Sequence, residues 1–244
     1  MKHFTKLALA MFLLWSAFPC AQAGASDESS ALLTLLDKVE SSYAHIRDYT
    51  AIFQKTERVD RKLKEEDSIL VKFQKPLKVY MKWLDIPGKE ALYVDGENSN
   101  KVIAHCPGLL GLWSWSFKPT DPALMNDNRH PITDIGFGYI IEVMRRDIPV
   151  ALEHKEMEVI RIGEEPYAGR PTTVVEAKFT PHDGRKYYTT RMVCHIDKEN
   201  MLPIGIACFD EKDALQEQYS YKDVKLNVGL TETDFSKANK EYRF

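Results

Sequence analysis

The 244-residue sequence is poor in cysteine, has no long block of like charge and contains only one extended apolar run. Each shortage excludes something. Of four cysteines, one falls within the first 23 residues, leaving Cys106, Cys194 and Cys208. That odd set has no Cys-x-x-Cys spacing, so a disulfide framework is not expected, and the three read as free, small apolar residues. With Asp197 to Asn200 read as a hairpin turn, Cys194 should face Pro203 or Ile204. Cys208 then falls about 13 Å away at the strand rise, beyond bridging reach. Thirty-three basic against 36 acidic residues give a net charge of −3, with no basic face to track phosphates, so nucleic acid is not expected as a partner. Twelve glycines and twelve prolines exclude collagen-like and low-complexity chains. Gly-x-Ser-x-Gly, His-Glu-x-x-His, a phosphate-cradling glycine loop and Gly-x-Gly-x-x-Gly are all missing. The best metal set would draw on His105, Cys106, His130, Cys194 and His195, but strand neighbours point to opposite faces, so adjacent pairs cannot easily share one ion. No catalytic residue, metal or cofactor is expected.

The one long apolar run is Leu7 to Phe18, preceded by Lys2, His3 and Lys6 and followed by Pro19 and the Ala21-Gln22-Ala23 cleavage pattern. It reads as a signal peptide over residues 1–23, being shorter than the ~20 apolar residues a membrane span needs. Export, with the periplasm as destination, is the expectation. The remaining 221 residues divide into a polar linker, 24–30, and a single domain, 31–244.

Leu32, Leu35, Leu36, Val39, Tyr43 and Ile46 recur at helical spacing behind Ser30, which predicts a capped helix with one apolar face. Period-two alternation then predicts strands at 48–59, around 69–74, at 78–83, 90–94 and 101–105. Between Cys106 and Pro131 the pattern stops. That segment holds Leu109, Leu110, Leu112, Trp113 and Trp115, too apolar for a disordered stretch and long enough to be a functional loop. A second helix is expected from a Thr133 cap through Phe137, Ile140, Ile141, Met144 and Ile148, with Arg145 and Arg146 in its last turn. Strands resume at 157–162, 172–179, 186–196, 203–209 and 215–224. The closing Tyr242-Arg243-Phe244 fits both a docked and a frayed end.

The runs Asp48-Tyr49-Thr50-Ala51-Ile52-Phe53-Gln54-Lys55-Thr56-Glu57-Arg58, Val71-Lys72-Phe73-Gln74-Lys75-Pro76, Val79-Tyr80-Met81-Lys82-Trp83, Leu92-Tyr93-Val94-Asp95-Gly96 and Asn128-Arg129-His130-Pro131-Ile132-Thr133 carry a resemblance. They are similar to a family of exported bacterial proteins of unknown function, which itself resembles the superfamily typified by the outer-membrane lipoprotein carrier LolA. Thr231-Glu232-Thr233-Asp234-Phe235 is similar to the closing segment of such carriers. The resemblance implies an α+β fold: a strongly curved antiparallel sheet, an unclosed half-barrel, with helices and a long loop covering its concave face. It also implies an apolar cavity of the kind that takes acyl chains.

The residues expected to line that cavity are Phe53, Val71, Phe73, Val79, Met81 and Trp83. Leu109, Leu110, Leu112, Trp113 and Trp115 form its lid, and Arg129 and His130 a polar hinge. The expected partner is a lipid or acylated ligand, with transient contact to a membrane or an exported protein. The alternative is a periplasmic sensor or scaffold that binds a protein and whose cavity is filled by its own side chains.

Overall fold

The computed structural model describes residues 25–107 and 113–244. The expected signal peptide, with Leu109, Leu110 and Leu112 of the expected lid, lies outside the described residues. Helix α1 spans Ala25–Ala44. It therefore takes in nearly all of the expected linker, and Ser30 sits inside it rather than capping it, its carbonyl accepting from Thr34 Oγ1 at 2.8 Å. Glu28 in the first turn suits the positive end of the helix dipole.

Six strands follow: β1 (Asp48–Val59), β2 (Lys62–Gln74), β3 (Lys78–Trp83), β4 (Glu90–Val94), β5 (Val102–His105) and β6 (Ser114–Phe117). Then come a single turn, α2 (Pro122–Met125), and helix α3 (Phe137–Glu153). The chain closes with β7 (Met157–Tyr167), β8 (Arg170–Phe179), β9 (Arg191–Asp197), β10 (Pro203–Phe209) and β11 (Leu215–Leu226). The expected strand 186–196 begins only at Arg191. Before it, Tyr187 and Tyr188 leave the sheet to bond Glu156 and Asp147, Tyr188 N donating to Asp147 Oδ2 at 2.7 Å.

The strands form one antiparallel sheet in the order β6-β5-β4-β3-β2-β1-β11-β10-β9-β8-β7. It is two meanders joined where β1 pairs with β11, and β6 and β7 are its open edges. Eleven strands laid flat would span ~48 Å. Tyr93 of β4 and Phe179 of β8 nevertheless belong to one core with Leu32, Leu36 and Val39 of α1 and Phe137, Ile140 and Met144 of α3. The sheet therefore curls around the two helices. Bulges at Phe53/Lys55 against β2 and at Thr50/Ile52 against β11 add to the local bend of β1.

A smaller core lies on the convex face. There Tyr80, Leu92, Val94 and Phe235 are buried together, with Tyr242 stacked on Tyr80 at 3.9 Å between ring centroids. Lys72 bonds Asp234 at 2.7 Å, and the amide of Arg243 donates to Glu90 at 3.0 Å. The C-terminal segment is thus a strap across the back of β2 to β5.

Three further expectations are corrected. Thr133 does not cap α3: residues Ile132–Asp134 form a separate 3-10 turn, and the helix starts after Gly136, whose φ of +100° suits glycine. The helix also runs on through Pro149, so Arg145 and Arg146 lie mid-helix, with Arg145 pairing with Asp37 and Glu40 of α1. Cys194 faces Ile206 and Cys208 faces Met192, so the two buried cysteines are diagonal neighbours on one face rather than four residues apart. A connection longer than a tight turn and a bulge at Pro203/Gly205 together move the register.

Candidate functional site: an amphipathic cavity

Strand alternation puts Tyr49, Ala51, Phe53, Lys55 and Glu57 of β1 on the concave face. The face is apolar at one end of the strand and charged at the other. Towards the apolar end it is closed: Phe73 stacks on Tyr49 at 4.9 Å, Tyr49 meets Phe137 at 4.7 Å, and Phe137 meets Tyr221 at 4.6 Å. Towards the other end it is open, and a cavity of about 330 Å³ lies between the floor and the segment 119–140. The hollow has a simple cause. Ala91 of β4 and Ala104 of β5 stand opposite one another in the floor, and neither reaches the roof. Leu124, Met125, Ile132, Ile135 and Ile140 form the apolar underside of that roof.

The polar end of the cavity is a network of buried ionic groups. Glu57 and Glu217 are cross-strand neighbours, 3% and 2% exposed. Two carboxylates so placed repel unless donors surround them, and here donors do. Glu57 accepts from Tyr219 Oη at 2.6 Å, the Arg129 amide at 3.0 Å and Lys55 Nζ at 3.3 Å. Glu217 accepts from Arg129 Nε at 3.0 Å, His130 Nε2 at 2.9 Å and the Tyr188 hydroxyl. Burial pushes the Glu217 carboxyl up, but the bonds from His130 and Tyr188 and the Arg129 charge outweigh it and hold the group below its ordinary value. Burial first, then the Glu217 and Glu57 charges, drive the Tyr219 phenol far up, so it remains a donor. Lys55 also meets Glu66 at 3.1 Å, Lys89 meets the same carboxylate at 2.6 Å, and Lys89 lies over the Trp83 ring at 4.2 Å. Against burial, these lysines lower the Glu66 carboxyl too.

The structure sorts the expected site residues. Phe53, Met81 and Trp83 line the cavity. Val71, Phe73 and Val79 share their face but lie at its closed end, wholly within the packed core. Trp113 and Trp115 are 68% and 46% exposed, and Trp115, paired with Ala104, stands on the concave side of the edge strand. The described roof is instead the segment 119–140. Arg129 and His130 pin that roof to Glu57 and Glu217, and Asn128 bonds Lys55. Sequence reasoning missed Lys55, Glu57, Glu66, Lys89, Tyr188, Glu217 and Tyr219. The available signal was the alternation of β1 itself, which carries the run Tyr49, Ala51, Phe53 straight on to Lys55 and Glu57.

Residues 46–244 match the model of a family described as a protein of unknown function, DUF1571. This chain belongs to the DUF1571 family. The match takes in every strand and α3, and so the whole cavity of this DUF1571 protein. No curated protein matches the chain in sequence. Among solved structures, it is similar to the lipoprotein LppX of Mycobacterium tuberculosis, at 15% identity and a TM-score of 0.47 over 83% of this chain and 98% of that one. It is similar to LprF of Mycobacterium bovis, at 14% and 0.42 over 82% and 95%. It is also similar to a chain of the Pseudomonas aeruginosa MucA/MucB complex, at 18% and 0.44 over 86% and 60%. Among the described residues no helix is long and apolar enough to cross a membrane, and no group of His, Cys, Asp or Glu could hold a metal ion.

Proposed function

We propose that this protein is an exported, periplasmic carrier that holds a lipid or acylated ligand in the concave cavity and releases it when the roof swings away from the floor. The observation that supports this most is the cavity itself: an apolar slot, open to solvent, between an unclosed sheet and a roof pinned at its polar end. Its volume of about 330 Å³ falls at the lower end of the ~300–1,000 Å³ typical of small-molecule sites, which suits a single acyl chain. Each buried methylene contributes about 0.8 kcal/mol, so ten would supply about 8 kcal/mol before ordering costs. Arg129 and His130 act as the pin about which the roof moves, and Trp115, opposite Ala104 at the sheet edge, flanks the mouth.

The test is a fluorescence titration with N-phenyl-1-naphthylamine, whose emission rises in apolar surroundings. Saturable binding of one dye per protein, competed by long-chain lipids, is expected. Absence of saturable binding to folded protein contradicts the proposal and favours the scaffold reading, in which a protein partner is the ligand.

A further inference from the structure

The polar end of the cavity restricts what head group a bound chain can carry. Lys55 lies between Glu57 and Glu66, at 3.3 Å and 3.1 Å, and is also bonded by Asn128. Lys89 is held by Glu66 at 2.6 Å. Behind them Arg129 is spent on Glu217. Among the described residues, every lysine and arginine facing the cavity's polar end is therefore already paired, while Asp134 lines the cavity with no lysine or arginine within 4 Å. An entering carboxylate or phosphate would meet surplus negative charge and no free cation. Trp83 lines the same cavity beneath Lys89, whose ammonium lies over its ring at 4.2 Å, so that cation is engaged twice.

Resting on the lipid reading above, we infer that the cavity takes an apolar chain with an uncharged or cationic head, and discriminates against free fatty acids and anionic phospholipids. The head places donors towards Glu66, Asp134 and the Tyr139 hydroxyl, which line the cavity.

The experiment compares three probes with the same twelve-carbon chain, monolaurin, dodecylammonium and laurate, as competitors of N-phenyl-1-naphthylamine at neutral pH and below their micelle concentrations. Monolaurin and dodecylammonium should displace the dye at concentrations about ten-fold or more below that needed for laurate. Glu66→Gln frees Lys55 and Lys89 from their shared carboxylate, so laurate should gain affinity and the gap should narrow. Laurate competing as well as the other two in wild-type protein overturns the head-group inference and leaves the cavity reading intact. Failure of the dye and of all three probes to bind overturns both.

Discussion

Glu217 has only 2% of its surface exposed and takes hydrogen bonds from an arginine, a histidine and a tyrosine. Removing one partner from such a cluster leaves the others charged or unpaired in a dry site, which costs more than the cluster contributes while intact. Glu217→Ala should therefore lower unfolding free energy by about 3–5 kcal/mol in a urea titration. Glu156 gives the clearest pH dependence. Arg185 Nε at 2.8 Å, with the Tyr187 hydroxyl and the His182 amide, lowers its carboxyl from 4.5 to about 2. A folded-state value below the unfolded one means that the ionised group stabilises the fold. Its contribution is complete above pH 4.5 and is lost as pH falls towards about 2. The thermal midpoint should accordingly fall across that window, and Glu156→Gln should flatten that part of the curve. The residue-scale features were the least legible in sequence. Glu57 and Glu217 are 160 positions apart, and only the pairing of β1 with β11 makes them neighbours. The spacing of Lys55 and Glu57 after Phe53 was visible, but a charged pair on a buried face makes sense only once Arg129, His130 and Tyr219 are placed around it.

At the scale of elements, strands were the most readable feature because period two survives wherever one face is buried. β1, β3, β4 and β10 fall where alternation puts them. The edge strand β6 was hidden, since Ser114 to Phe117 is mostly exposed and its pairing to β5 is set by the sheet rather than by its own pattern. The start of α3 was misplaced because Thr133 offers a hydroxyl cap, whereas the turn into the helix depends on backbone that glycine alone adopts easily. Gly136 donates its N–H to the Tyr221 hydroxyl at 3.1 Å, and a Cβ there would meet the Tyr49 hydroxyl at 2.4 Å. Gly136→Ala combines a strained φ with a steric clash in the aromatic column. It should cost about 3 kcal/mol by chemical denaturation. A change below about 0.5 kcal/mol, the range of ordinary surface substitutions, would show that the column repacks freely.

Taken as a whole, the molecule is a curled sheet that two helices fill incompletely. Its back is closed by the C-terminal strap, while its front keeps a slot where Ala91 and Ala104 leave the floor low. An unclosed barrel has to cover its concave face with something, and here the covering segment is held at one end by ionic bonds and farther along by apolar contact and the bond from the Gly136 amide to Tyr221. That asymmetry is what makes opening feasible without unfolding the sheet. The central claim is that the slot holds a lipid, and the most direct measurement is solvent extraction and mass spectrometry of the exported protein purified without detergent, beside the Ala104→Phe variant. Wild-type protein should yield close to one acyl ligand per chain. The variant, whose new ring occupies the slot, should be folded and empty. Empty wild-type protein, or a variant carrying as much lipid as wild type, would contradict the account.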